Sequence, residues 1–219
     1  MRNIHVVTLG PGAPSLLTLG AADKLKKAKH LILRTSRHGV CAWLNEQGIP
    51  FDSLDALYDR FDDFDELNEA LAKAVLSAAD AGTVCYAVAD ASTDASVGRL
   101  LALLSAEDKC TVEAGVSPAQ ECLSVLPAEL RDAEGRLRVV PALAVNQAAF
   151  DPSSPLLVTE IDNAALAGDV KIRLSSLYGD EQRSVFFPPS ETQPRKLKEL
   201  PLYELDRQKR FDHTCCVYV

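Results

Sequence analysis

Ile4-His5-Val6-Val7-Thr8-Leu9-Gly10-Pro11-Gly12, followed by Ser15-Leu16-Leu17-Thr18-Leu19, is the stretch that decides the fold class of this 219-residue chain. A β-rich run ends in Gly-Pro-Gly and turns within a few residues into an amphipathic helix. Open α/β sheets present a ligand crevice in this way, at the carboxyl end of the first strand. Gly10 and Gly12 permit backbone angles and close approach that a Cβ would forbid, and Pro11 fixes one φ between them. The loop is bare and stiff, suited to lying against a flat ligand. It is not a P-loop, since no Gly-Lys-Ser/Thr follows, and it lacks the dinucleotide spacing. A tight strand-to-helix turn with no ligand is the alternative reading.

Outward from this loop, strand and helix patterns alternate. Strands are expected at 4–9, 31–34, 83–89 and 110–114, with helices at 16–28, 40–47, 65–81 and 95–104 between them. The third helix is the clearest: Leu67, Leu71 and Val75 recur every fourth residue beside Ala70, Ala74 and Ala78, and Gly82 stops it. Such βαβα order predicts a mostly parallel sheet covered on both faces. After about residue 115 the pattern changes. Strands at 137–140, 156–159, 185–187, 197–200 and 215–218 are separated by proline-rich connections and by one strong helix, 163–178, capped by Asp162 or Asn163. The expectation is an α/β protein of two domains. Residues 1–115 form a parallel-sheet domain carrying the Gly-Pro-Gly loop, and 116–219 form a mixed-sheet domain. The default ligand site would be a cleft between them.

Composition narrows the partners. A formal net charge of -8, from 23 basic and 31 acidic residues, argues against nucleic acid or an anionic membrane. Lys24, Lys26, Lys27 and Lys29 read as the solvated face of the first helix. No apolar run is long enough to span a bilayer, and Gly10-Pro11-Gly12 and Pro14 interrupt any signal-peptide pattern. The six cysteines, Cys41, Cys85, Cys110, Cys122, Cys215 and Cys216, show neither Cys-x-x-Cys pairs nor His at zinc spacing. Most lie in apolar stretches, where free cysteine behaves as a small buried hydrophobe and a reducing cytoplasm fits. The vicinal Cys215-Cys216 pair reads as two strand residues facing opposite ways.

Four groups of residues together resemble a known family. Thr8-Leu9-Gly10-Pro11-Gly12-Ala13-Pro14-Ser15-Leu16-Leu17-Thr18-Leu19, with Ala21-Ala22-Asp23, is similar to the opening of the tetrapyrrole (corrin/porphyrin) methylases. Leu33-Arg34-Thr35-Ser36-Arg37-His38 and Pro155-Leu156-Leu157-Val158-Thr159-Glu160 (leading to Asp169-Val170-Lys171) extend the likeness. So does Leu200-Pro201-Leu202-Tyr203-Glu204-Leu205-Asp206-Arg207, with Phe211-Asp212-His213. These resemble the subgroup found ahead of a MazG-type nucleotide pyrophosphohydrolase. The resemblance implies an S-adenosylmethionine-dependent methyltransferase acting on a small molecule, a homodimer, and a fused or associated MazG-type domain. It implies cofactor contacts at Leu9, Gly10, Pro11, Gly12, Asp90, Ser92, Thr93, Gly115, Val116, Ser117 and Thr159. Neither a metal nor an assigned catalytic residue follows from it.

Two signatures depart from the family pattern. Where Tyr-Ala-Val-Pro-Gly-Asp/His-Pro is usual, this chain reads Tyr86-Ala87-Val88-Ala89-Asp90-Ala91-Ser92-Thr93-Asp94. Pro-Gly-Val/Ile-Ser becomes Ala114-Gly115-Val116-Ser117. Asp90, Ser92, Thr93 and Asp94 therefore either supply polar contacts to a sulfonium and its amino-acid tail, or Ser92, Thr93 or Asp94 merely caps the helix beginning near Ala95. Methyl transfer is an in-line displacement, so positioning does most of the work. Arg34, Arg37 and His38 follow the second strand and are candidates for an acidic substrate, with Arg34 and His38 taken as its ligands; a solvated loop is the alternative. His5 reads as hydrogen-bonded structure, and His213 as part of a structural motif.

The acidic run Asp62-Asp63-Phe64-Asp65-Glu66, with Glu69, reads as the capped start of a helix, because no second acidic helix follows to complete a pyrophosphohydrolase metal site. Two classes of function result. One is the methyltransferase; the other is a catalytically degenerate methylase-like module that binds a ligand or partner of a pyrophosphohydrolase. A sugar-phosphate or nucleotide binder on a generic α/β fold is a third. The strand that runs straight into Val219 reads as the edge of a piece trimmed from a longer fusion.

Overall fold

The computed structural model describes residues 1–61, 63–131, 134–190 and 193–219. Asp62, the first member of the acidic run, lies outside the described residues. The chain forms two compact units, Met1–Ser117 and Pro118–Val219.

In the first unit β1 (Asn3–Thr8), α1 (Leu19–Lys27), β2 (Leu31–Leu33), α2 (Val40–Glu46), β3 (Asp52–Ser53), α3 (Asp55–Tyr58), α4 (Phe64–Asp80), β4 (Val84–Val88), α5 (Ala95–Leu103) and β5 (Lys109–Glu113) follow in order. The five strands are all parallel, in the order β3-β2-β4-β1-β5. Alternate side chains feed two cores. Ile4, Val6, Val84, Tyr86 and Val88 pack against Ala72, Val75, Val97 and Leu100 of α4 and α5. Val7, Leu9, Leu33, Cys85 and Ala87 pack against Ala21, Leu25, Val40 and Leu44 of α1 and α2. A strand buried on both faces has no polar alternation to show, and Val84–Val88 is buried throughout. Each fully buried aliphatic or aromatic side chain contributes about 1.5–3 kcal/mol.

The helix after β1 covers one face and the helix after β4 the other. These two strands are neighbours, so the sheet has its topological switch point between them. Helix α1 begins at Leu19, later than the periodicity predicts, because Pro14–Leu16 forms a separate 3-10 turn and Thr18 caps the helix by accepting the Ala21 N–H at 3.1 Å. Asp63 caps α4, accepting from the N–H groups of Asp65 and Glu66 at 2.8 and 2.9 Å. Asp65 and Glu66 occupy the first turn, where acidic residues complement the helix dipole.

The second unit contains α6 (Pro118–Val125), β6 (Arg138–Pro141), β7 (Leu156–Thr159), α7 (Ala164–Tyr178), β8 (Arg183–Phe187), β9 (Lys198–Pro201) and β10 (Cys216–Tyr218). Its mixed sheet runs β6-β7-β10-β8-β9, with β6 and β7 parallel and the remaining pairs antiparallel. Asn163 caps α7, accepting from the Leu166 N–H at 2.9 Å. Ala167, Val170 and Leu174 of that helix cover Val158, Phe186, Cys215 and Val217. Cys122 and Leu126 lie over Leu157, Phe187, Cys216 and Tyr218 on the other face. Cys215 and Cys216 thus enter opposite cores, as a strand's two-residue period requires. Among the described residues no helix is long and apolar enough to cross a membrane.

Candidate functional site

Three segments of the first unit meet at the carboxyl edge of its sheet, around β1. The first is the Gly10–Gly12 loop. The β1–β4 ladder continues past both strands: the Leu9 N–H donates to Val88 O at 2.8 Å and the Gly10 N–H to Ala89 O at 2.9 Å. Gly10 (φ +82°) and Gly12 (φ +132°) then take backbone angles that favour glycine. A Cβ on Gly10 would lie 3.4 Å from Val116 O, so this loop touches the segment after β5. Pro11 carries no N–H, and among the described residues nothing accepts the N–H of Gly12. Gly10, Pro11 and Gly12 are buried, and the Gly12 N–H is the one loop donor with no acceptor among the described residues.

Gly115 is the second piece. A Cβ there would meet Thr8 Cγ2 at 2.5 Å and Thr8 O at 3.1 Å, so the chain can pass this close to β1 only without a side chain. Val116 and Ser117 follow it, half-buried.

The third segment, after β4, closes on itself. The Asp90 carboxylate accepts the Ser92 N–H at 2.9 Å and the Ser92 hydroxyl at 2.6 Å, while the Ala91 N–H donates to Thr8 Oγ1 at 3.1 Å. Among the described residues Glu160 (φ +61°) is the only non-glycine with positive φ, so Asp90 replaces the family's glycine without left-handed strain. Thr93 is exposed. The cap of α5 is Asp94, which accepts from the Ser96 N–H and Oγ–H at 2.9 and 2.6 Å. Because the Ser96 hydroxyl is committed to Asp94, the Tyr86 O–H donates to Ser96 Oγ across 2.7 Å. Burial, with the Asp94 carboxylate nearby, holds that phenol well above its usual range.

Arg34 belongs to the same network. Its Nη1 lies 3.2 Å from Asp94 Oδ2 and its Nη2 donates to Asn68 Oδ1 at 3.1 Å. His38 is buried; its Nε2–H donates to Gly10 O at 2.8 Å and its Nδ1 accepts the Val40 N–H at 3.3 Å. With the Val40 N–H pointing at Nδ1, the ring proton that meets Gly10 O sits on Nε2. The two substrate candidates are therefore engaged inside the unit. Arg37 is exposed and lines a cavity of about 180 Å³ with Thr35, Asp55 and Tyr58. Among the described residues its guanidinium has no hydrogen-bonding or ionic partner. Thr159 lies in the second unit, buried at the end of β7 and followed by Glu160. His5 shares a 2.6 Å hydrogen bond with Thr111 Oγ1 on the next strand. Among the described residues no group of three or more His, Cys, Asp or Glu is placed to hold a metal ion.

The sequence reading did not single out Glu121 and Arg195, an ion pair whose side chains are 2% and 0% exposed. The available signal was a carboxylate within the helical stretch Pro118–Val125, beside the buried Cys122.

A parallel sheet with its switch point at a Gly-Pro-Gly loop defines an open α/β fold, the class in which ligand crevices lie at that edge. A model of the tetrapyrrole (corrin/porphyrin) methylases matches residues 3–187, and the chain belongs to that family, whose members are S-adenosylmethionine-dependent methyltransferases. It is 26% identical over 218 residues to the uncharacterized protein YabN of Bacillus subtilis, covering 99% of this chain but only 44% of that protein. In fold it is similar to uroporphyrin-III C-methyltransferase of Thermus thermophilus, solved with S-adenosylhomocysteine (TM-score 0.64, 18% identity, covering 99% of this chain and 91% of that one). It is also similar to the precorrin-6Y methylase of Archaeoglobus fulgidus (TM-score 0.68, 15% identity, 99% and 96%).

Proposed function

We propose that this chain binds S-adenosylmethionine on the Gly10–Gly12 loop and donates its methyl group to a small-molecule acceptor, in keeping with the tetrapyrrole-type substrates of the family. The observation that carries the reading is the bare cradle. Left-handed Gly10 and Gly12 lie at the switch point, and Gly115 packs directly against Thr8 beside them, so backbone rather than side chains shapes this corner of the sheet edge. Leu9, Gly10, Pro11, Gly12, Gly115, Val116 and Ser117 would hold the cofactor's flat and polar parts, with the Gly12 N–H as a free donor. When bound, the cofactor supplies an electrophilic methyl carbon on a sulfonium, and transfer to a nucleophile in line with the C–S bond leaves a neutral thioether. The protein then needs orientation more than a strong base. Asp90 and Ser92 satisfy each other and keep the loop after β4 rigid. Thr93 remains a cofactor candidate in this unit, and Thr159, in the second unit, is one on the sequence resemblance alone. Arg37 and the cavity beside it take the place of Arg34 and His38 in reaching an anionic group of the acceptor.

Titration calorimetry with S-adenosylmethionine and S-adenosylhomocysteine tests this. The expected result is a micromolar Kd, about -8 kcal/mol. Absence of heat at millimolar ligand overturns it and favours the non-catalytic module. Association with a MazG-type domain, homodimerisation and a cytoplasmic setting are further proposals that rest on the sequence resemblance.

A further inference from the structure

We infer that the turn His38–Val40, at the start of α2, positions the Gly10–Gly12 loop, with His38 as a positioning residue for cofactor binding; the inference rests on the reading of that loop as the cofactor site. Two independent contacts carry it.

The first is the His38 ring, 4% exposed, which spans from the first turn of α2 to the loop. Gly10 is thereby held at both of its backbone groups: its N–H by Ala89 O and its carbonyl by the His38 Nε2–H. A buried apolar side chain of similar size would fill this space but could not hold the carbonyl, which would then be left without its donor. The second contact is at Gly39. Its backbone (φ −60°, ψ −24°) is ordinary right-handed helix, so conformation does not demand glycine there. Space does: a Cβ on Gly39 would lie 2.6 Å from Gly12 O and 3.2 Å from Gly12 C. Those are backbone atoms and cannot swing aside. Consecutive residues of one turn therefore touch the loop at Gly10 and at Gly12, fixing the two glycines whose angles shape the cradle.

The test compares the wild type with His38→Gln, which keeps a side-chain N–H donor, His38→Leu, which keeps volume without it, and Gly39→Ala. S-adenosylhomocysteine affinity, melting temperature and amide exchange at Leu9 and Gly10 are measured on each. The expected result is that His38→Gln binds within about threefold of wild type, while His38→Leu and Gly39→Ala bind about tenfold or more weakly, which is about 1.4 kcal/mol. Their melting temperatures fall, while both variants stay folded at the temperature of the binding assay, and exchange at Leu9 and Gly10 rises more than at amides elsewhere in the first sheet. Wild-type affinity in both His38→Leu and Gly39→Ala overturns the inference. If His38→Leu does not fold, Gly39→Ala carries the same comparison. If the wild type itself does not bind, the cofactor reading fails and exchange decides alone. Faster exchange at Leu9 and Gly10 in the variants supports positioning; unchanged exchange overturns it.

Discussion

Single carboxylates fasten the loops at the carboxyl end of the first sheet. Asp90 closes the turn after β4, Asp94 caps α5, and Asp55 ties α3 to the loop after β2 by accepting the Ser36 N–H and hydroxyl at 2.9 and 2.5 Å. Burial pushes Asp55 up, but hydrogen bonds from Ser36, Thr35 and Ser53 outweigh it and lower the group to about 2. The sign follows directly. The folded value lies below the unfolded one of about 3.9, so the stabilisation is full above that and is lost as pH falls towards 2. Urea unfolding at a series of pH values is expected to show the midpoint dropping between about pH 4 and pH 2. In Asp55→Asn that drop should be smaller and the midpoint at pH 6 lower. Parallel curves for the two proteins would contradict the assignment.

At the scale of elements, α6 and the segment before β9 are joined by a buried polar knot. Glu121 accepts from Ser190 Oγ at 2.8 Å, from Gln193 Nε2 at 2.6 Å, and from Arg195 Nη1. Arg195 also donates to the carbonyls of Pro188 and Thr214. Removing one partner strands a buried charge, which costs about 3–5 kcal/mol, whereas replacing both with apolar groups of similar volume is often far less harmful. Glu121→Leu and Arg195→Met are each expected to lower unfolding free energy in this range, and the double variant to lose less than their sum. Additive losses in denaturant titrations would mean that the pair is not coupled. The helix itself was hard to read. Pro118–Val125 is short, and its buried positions include Glu121, so the apolar stripe that marks α4 is missing. Strand β3 is two residues long and exposed, too brief for any alternation to show.

For the molecule as a whole, both units bury their thiols. Cys41, Cys85, Cys122, Cys215 and Cys216 are buried, and Cys110 is half-buried in β5. Burial pushes Cys85 and Cys215 up to about 12, away from the reactive thiolate. Alkylation of the native protein at neutral pH, read by mass spectrometry, is expected to modify Cys110 first and the other five only at the rate of unfolding. Comparable labelling of Cys85 or Cys215 would contradict this packing.

The sequence by itself determined the alternation of strand and helix in the first unit, the mixed character of the second, the family, and the Gly-Pro-Gly loop as the place to look. These follow from local signals: period, punctuating glycines and prolines, and caps such as Asp63, Asp94 and Asn163. Only the tertiary structure decided what each polar residue of the candidate site does. Arg34 and His38 follow the same strand as Arg37, and no local pattern separates them. The fold directs Arg34 to Asp94 and Asn68, sixty and thirty-four residues away, and His38 to the Gly10 carbonyl, and leaves Arg37 beside the cavity. The same holds for Gly39 and Gly115. Their need for glycine is a matter of which atoms a Cβ would meet within 3 Å, the Gly12 carbonyl for Gly39 and the Thr8 side chain for Gly115, and those neighbours exist only once the chain has folded.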